Sequence, residues 1–160
     1  EQLTELLTPH LIENQALATE KSKKEFNFSL KIAKLYQERL KNLNEIGELS
    51  RNLYLDQPDY DPTLLVWKKS TPAATIEALK TIINFLKDYS QTNWNTAELQ
   101  TATMDFLQKN NLANGDHLWP WRVALSGLAA SPSPFELADI LGQAATIKRL
   151  QHALRSMQAQ

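Results

Sequence analysis

The sequence has no cysteine and few glycines or prolines, and each absence excludes a class of protein. Without cysteine there are no disulfides and no thiolate metal sites, and we expect a reducing, cytoplasmic environment. Four glycines and seven prolines in 160 residues are too few for a disordered chain or an all-β chain rich in tight turns. No apolar run reaches the roughly 18 residues of a membrane span, and no signal-peptide pattern opens the chain. Because residue 1 is Glu rather than Met, we expect a piece of a longer protein.

An excess of positive charge is also missing. The formal net charge is −1, and residues 1–90 and 91–160 are each close to neutral. Proteins that bind nucleic acid generally carry a strong basic excess, so contacts to RNA or DNA would have to come from a few placed cations. The phosphate-binding loops GxxxxGK[ST] and GxGxxG do not occur, and no two histidines have the spacing of a zinc site. We therefore expect no catalysis, cofactor or metal ion from these residues alone.

Helix-forming residues dominate what is present, and their apolar spacing predicts an all-α fold. A polar stretch at 90–95 predicts the boundary between two packed helical subdomains, 1–90 and 91–160. The segment Ser133–Glu136 has the pattern of a capping box with proline at the first helical position. Helices are predicted as short pieces within 3–17, then over 23–43, 44–54, 71–89, 95–109, 121–127, 134–142 and 146–157.

Arg39 falls within the predicted helix over 23–43. At 100° per residue it projects near the middle of that helix's apolar stripe, where burying a guanidinium without a partner is costly. Two interpretations stay open. The side chain extends to solvent or pairs with a carboxylate such as Glu38, or it directs its N–H donors at the edge of a nucleotide base.

Two indoles and a guanidinium follow one another at 119–122. Arg122 is at a predicted helix start, where positive charge is unfavourable. A phosphate or base would explain its placement, and so would a buried carboxylate. Trp119 and Trp121 could each stack on an RNA base, which is worth roughly 1–3 kcal/mol, or could pack in the core or between subdomains. Trp121 is therefore included among the candidate RNA-binding residues.

Three segments, in order along the chain, resemble one family. WPWRVALSG at 119–127 is similar to the "plRvALtG" helix of bacterial glutamyl-tRNA synthetases. SPSPFE at 131–136, followed by LG and then IKRL at 147–150, resembles the C-terminal ending of the same enzymes. LYQERLKNL at 35–43 resembles the helix that follows their catalytic part. The resemblance covers essentially the whole chain and is most specific in its C-terminal third.

The resemblance implies an α-helical anticodon-binding region with two helical subdomains. Its partners would be the anticodon loop of tRNA(Glu) and the catalytic domain of the same polypeptide, in a monomeric enzyme. The adenylation motifs of the family occur nowhere in these residues. ATP and magnesium would accordingly belong to that catalytic domain, and this region would be non-catalytic by itself.

Several residues acquire individual roles from the resemblance. Arg39 matches the family arginine that reads the third anticodon base, and Arg122 matches the arginine that contacts the anticodon loop. Ser131, Pro132 and Pro134 fall on the turn that the family places beside the first anticodon base. These residues complete the predicted RNA-binding set.

The role implied for Arg39 makes chemical sense. Cytosine presents the acceptors O2 and N3 on its pairing edge, which a donor-only guanidinium can satisfy, whereas guanine presents N1–H and N2–H donors there. By analogy with other arginine–base contacts the discrimination would reach about 1–3 kcal/mol. Glutamate anticodons end in C and glutamine anticodons end in G, so Arg39 implies the form that rejects glutamine tRNA.

Two other functions remain open from the residues alone. A helical protein–protein interaction module would have the same neutral charge and amphipathic helices. A helix-turn-helix DNA reader is disfavoured because no basic recognition helix is present.

Overall fold

The computed structural model describes residues 23–89 and 93–159, and within them every regular element is helical. The predicted all-α fold is therefore confirmed, whereas the short helical pieces predicted within 3–17 lie outside the described residues. None of the helices in the described ranges is long and apolar enough to cross a membrane. The elements are α1 (Lys23–Tyr36), α2 (Glu45–Tyr54), a 3-10 helix (Pro62–Leu65), α3 (Pro72–Asp88), α4 (Thr96–Lys109), α5 (Asn114–Ser126), α6 (Pro134–Leu141) and α7 (Gln143–Gln158).

The first compact unit extends to Asp56 and contains α1 packed against α2. Its buried side chains include Ile32, Tyr36 and Ile46. The Tyr36 hydroxyl donates to the carbonyl of Leu49 over 2.9 Å, which ties the end of α1 to α2.

Helix α1 ends at Tyr36, seven residues before the predicted end at Leu43. Polar side chains in the following segment bond locally instead of continuing the helix. The Asn42 amide donates to Glu45 Oε1 over 2.9 Å, and Glu45 Oε2 accepts from the backbone of Lys41 over 3.0 Å. Asn side chains that bond to nearby groups compete with the helix in this way. Leu43 is 38% exposed as a result.

The second unit begins at Gln57 and holds the remaining helices. Helix α3 lies at its centre and packs against α5 and α7, while α4 packs against α6. The apolar side of α3 is buried, including Leu79, Ile82 and Leu86. The division at 56–57 differs from the predicted boundary at 90–91, because the contacts of α3 are with helices that follow it in the chain.

The helix ends follow the polar signals in the sequence. Ser133 and Glu136 form the predicted capping box, with Pro134 in the first turn of α6. Asn95 Oδ1 accepts from the backbone N–H of Glu98 over 3.0 Å at the start of α4. Gly127 ends α5 with φ 69°, the left-handed conformation that glycine adopts without strain.

Candidate RNA-binding site

Arg122 lies in the second half of α5, not at a helix start. The helix begins at Asn114 and includes Pro120, so the predicted start near Trp121 is wrong. Proline lacks an N–H and usually interrupts a helix, which is why the sequence favoured a later start. In the observed position the cation no longer lies at the positive end of the helix dipole, where it would be unfavourable.

The Arg122 guanidinium holds the loop that follows α5. Its Nη2 donates to the carbonyl of Ala129 over 2.7 Å, and Nη1 lies 3.5 Å from the carbonyl of Ser131. Partial burial lowers the pKa of Arg122 from its ordinary value. Guanidinium has five N–H donors, so the bonds to these two carbonyls leave other N–H groups that could donate to an RNA phosphate or base edge.

Arg122 also covers an aromatic ring, and this contact begins a row of neighbouring cationic and aromatic side chains. Its guanidinium carbon lies 4.7 Å from the centre of the Trp119 ring. The Trp119 ring is in turn 4.8 Å from the Trp67 ring, with 49° between the planes. Lys68 Nζ lies 5.2 Å from the centre of the Trp67 ring. We call these four side chains (Arg122, Trp119, Trp67 and Lys68) the cation–indole row.

The cation–indole row borders a groove of about 390 Å³. Trp119 is fixed at its edge, because its indole N–H donates to the carbonyl of Leu64 over 2.8 Å. The Asp61 carboxylate accepts from the backbone N–H and hydroxyl of Thr63, and these bonds hold the pKa of Asp61 below its usual value. The groove is lined by Asp61, Thr63, Leu64, Val66, Trp67, Lys68 and Trp119.

Trp121 does not belong to this surface. Its side chain is 0% exposed, and its ring packs edge-on against Phe135 at 5.5 Å. A ring without exposed surface cannot stack on a base, so the packing interpretation applies to Trp121. Trp119, Trp67 and Trp94 are partly exposed, and of these Trp119 and Trp67 lie beside the groove. The sequence favours a packing role for Trp67, although the basic dipeptide that follows it was an available signal of a surface position.

The turn after α5 presents its backbone more than its prolines. Pro132 and Pro134 are buried, whereas Ala129 and Ala130 are exposed and Ser131 is partly exposed. The prolines therefore shape the loop and offer little side-chain surface to a ligand. Arg122 brings this turn next to the cation–indole row through the bonds described above.

Arg39 belongs to the first unit and lies in the turn that follows α1. Its side chain is exposed, and Nη1 donates to the carbonyl of Leu35. The predicted position within an apolar stripe is wrong, because α1 ends three residues earlier. An exposed guanidinium at a helix end remains accessible to an RNA base.

Arg149 on α7 is a structural residue. It is 3% exposed and donates to the carbonyl of Leu125 over 2.7 Å. That carbonyl lies in the last turn of α5, where helix carbonyls lack partners within the helix.

Residues 2–154 match the protein family described as "Anticodon binding domain". The chain belongs to this family. It is 31% identical over 156 residues to a glutamate–tRNA ligase from Herpetosiphon aurantiacus, and this match covers 98% of the chain and 31% of the relative. A glutamate–tRNA ligase from Clostridium acetobutylicum is 30% identical over 131 residues, with 80% of the chain and 26% of the relative covered. The chain thus spans less than a third of the length of these relatives.

Solved structures show the same fold. A glutamate tRNA ligase from Elizabethkingia meningosepticum, in complex with its amino acid, matches 96% of the chain and 29% of its own length, with a TM-score of 0.66 and 20% identity. The glutamate-tRNA synthetase from Elizabethkingia anophelis matches with a TM-score of 0.67 and 19% identity. Family, relatives and fold together support an anticodon-binding region of the kind found at the C-terminus of glutamyl-tRNA synthetases.

Proposed function

We propose that this chain recognises the anticodon loop of tRNA(Glu) as part of a monomeric, cytoplasmic glutamyl-tRNA synthetase. The match to the anticodon-binding family over residues 2–154 carries the proposal. A catalytic domain of the same polypeptide would activate glutamate with ATP and magnesium. The residues described above would supply binding and base selection only.

The geometry supports distinct roles for the two arginines. Arg39 is exposed in the first unit, and its donor-only head suits the O2 and N3 acceptors of cytosine. Arg122 is partly buried and bonded to the loop carbonyls of Ala129 and Ser131, so it would orient the loop beside the RNA while adding positive charge. Ser131, with Pro132 and Pro134 beneath it, would form the part of the loop that faces the first anticodon base.

A protein–protein adaptor is less well supported. Adaptor surfaces that bind helices or peptides expose several large apolar side chains together. Across residues 27–89 and 93–159, a single large hydrophobic residue, Leu43, is exposed. This leaves the RNA-binding proposal as the better account of the surface.

The proposal predicts base discrimination by Arg39. Two anticodon stem–loops that differ only in the last anticodon base, C or G, are titrated with the chain and with Arg39→Gln. We expect the chain to prefer C by about fivefold to 150-fold, which corresponds to roughly 1–3 kcal/mol for a bidentate base contact. Arg39→Gln should narrow this gap, because a glutamine amide offers both a donor and an acceptor.

Arg51→Gln is a matched control, since Arg51 is an exposed arginine on α2 of the same unit. It should reduce affinity for both stem–loops equally, through lost charge alone. If the ratio of the affinities for the C and G stem–loops is unchanged in Arg39→Gln, Arg39 does not read this base. Absence of salt-sensitive binding to either stem–loop would exclude RNA recognition by this chain.

A further inference from the structure

The cation–indole row differs from the other tryptophans of the chain because it places two neighbouring indoles and two cations beside one groove. Trp121 is fully buried, and the indole N–H of Trp94 donates to the carbonyl of Ala138 over 2.7 Å. Trp67 and Trp119 are both partly exposed and lie beside the same groove. Trp67 and Trp119 are the tryptophans that line this groove.

The two rings are held in place before any ligand arrives. Trp119 is fixed by its bond to the Leu64 carbonyl and by Arg122 above its face. Trp67 lies against Gly115 on α5 so closely that a Cβ at this position would be 2.9 Å from the indole nitrogen. Preorganised rings lose little conformational entropy on binding, which favours affinity.

The charges around the groove restrict what it can hold. A cationic ligand is disfavoured, because Lys68 and Arg122 already lie over the rings. A phosphate alone is disfavoured by the Asp61 carboxylate and by the mostly apolar lining. A nucleotide meets both conditions: its base can stack on indole and donate an N–H to Asp61, and its phosphate can bind the Lys68 ammonium.

The groove also has a free acceptor and sufficient size. Asp61 Oδ1 accepts both bonds from Thr63, which leaves Oδ2 for a base donor. The volume of about 390 Å³ lies within the range of small-ligand sites. Lys68 is exposed, so its long side chain can leave the Trp67 ring and follow the phosphate.

We propose that the cation–indole row binds one unpaired nucleobase of the same RNA, outside the three bases of the anticodon. Trp67 supplies the stacking face, Lys68 binds the neighbouring phosphate and Asp61 accepts from the base edge. This proposal rests on the proposed function, since the base belongs to the bound anticodon stem–loop. It adds a contact that anchors the loop without reading the codon.

The test is a double-mutant cycle on the full 160-residue chain. Each loop nucleotide outside the anticodon is replaced in turn by an abasic nucleotide, and the affinities of the chain and of Trp67→Leu are measured. We expect one abasic position to weaken binding to the unmodified chain by about tenfold, as the loss of a base–aromatic stack does. The same abasic position should leave the affinity of Trp67→Leu almost unchanged.

Two further variants separate stacking from folding. Trp67→Phe keeps an aromatic face and should recover part of the lost affinity, while circular dichroism checks that each variant is folded. Gly115→Ala leaves Trp67 present but displaces its ring, and it should weaken binding to the unmodified loop more than to the abasic loop.

The outcomes distinguish this proposal from the one on which it rests. Every abasic replacement could lower the RNA affinity of the chain and of Trp67→Leu by equal factors while the preference for C over G persists. In that case the cation–indole row binds no base, and the proposed anticodon recognition stands. If no stem–loop binds, both proposals are overturned. Coupling to an anticodon base, rather than to another loop base, would overturn the placement outside the triplet.

Discussion

Tyr60 shows how a single buried polar atom behaves in the second unit. Its hydroxyl is buried and has no hydrogen-bond partner among the described residues. Burial raises the pKa of Tyr60 to about 12, although the positive charge of Arg149 acts in the opposite direction. Tyr54 in the first unit also has its pKa raised to about 12 by burial, but its hydroxyl donates to Ser29 Oγ over 3.0 Å.

Tyr60→Phe should be neutral or stabilising at pH 7, because it removes a buried group without a partner. The raised pKa means that the folded state disfavours the tyrosinate. The stability linked to Tyr60 is therefore complete below its ordinary pKa of 10.0 and is lost as the pH rises towards about 12. Between pH 7 and pH 11.5, urea unfolding should show an alkaline loss of stability, of which about 2 kcal/mol is linked to Tyr60 and is absent in Tyr60→Phe.

Tyr54→Phe is the matched control for this experiment. It removes the bond to Ser29 and should lower the free energy of unfolding at pH 7 by about 0.5–1.5 kcal/mol. A similar loss at pH 7 in Tyr60→Phe would show that the Tyr60 hydroxyl has a partner after all.

At the scale of single helices, local signals predicted some ends and missed others. The start of α6 at Pro134 was visible, because a capping box involves only residues three apart. The end of α1 was missed, since the apolar spacing continues to Leu43 while Asn42 and Glu45 bond to the backbone and to each other. The start of α5 was missed because Pro120 is tolerated inside the helix.

The capping box should contribute measurably to stability. Ser133→Ala removes the acceptor for the Glu136 backbone N–H and should lower the free energy of unfolding by about 1 kcal/mol. Ser156→Ala on α7 is the control, since its hydroxyl only donates to the carbonyl of His152 one turn earlier. Its effect should stay within about 0.5 kcal/mol in the same urea titration. Equal effects of the two variants would contradict a capping role.

At the scale of the whole molecule, α3 decides where the chain divides. The polar stretch at 90–95 predicted a boundary after α3, yet α3 packs against α5 and α7 in the second unit. A polar composition like that of a linker indicates only that the segment is exposed to solvent. Which side of it a helix packs against depends on contacts between residues far apart in sequence.

This division predicts the behaviour of two fragments. Residues 57–160 should unfold in one cooperative transition, because they retain α3 together with α5 and α7. Residues 91–160 should not, since removing α3 uncovers the sides of α5 and α7 that it packs against. Thermal unfolding followed by circular dichroism tests both fragments. A sharp transition in the shorter fragment would support the predicted boundary at 90–91.

The order of residues close together in the sequence determined the all-α class and the helix starts that have polar caps. The reason is that helix hydrogen bonds and caps join residues three or four apart. The family resemblance pointed to anticodon recognition and to Arg39 and Arg122. Tertiary structure alone decided which indole is available to a ligand. Trp119 and Trp121 lie two positions apart on α5, so their side chains point about 200° apart and cannot share one environment. Packing against Phe135 buries Trp121, whereas Trp119 contacts Trp67, from the segment between the 3-10 helix and α3, at the edge of the groove.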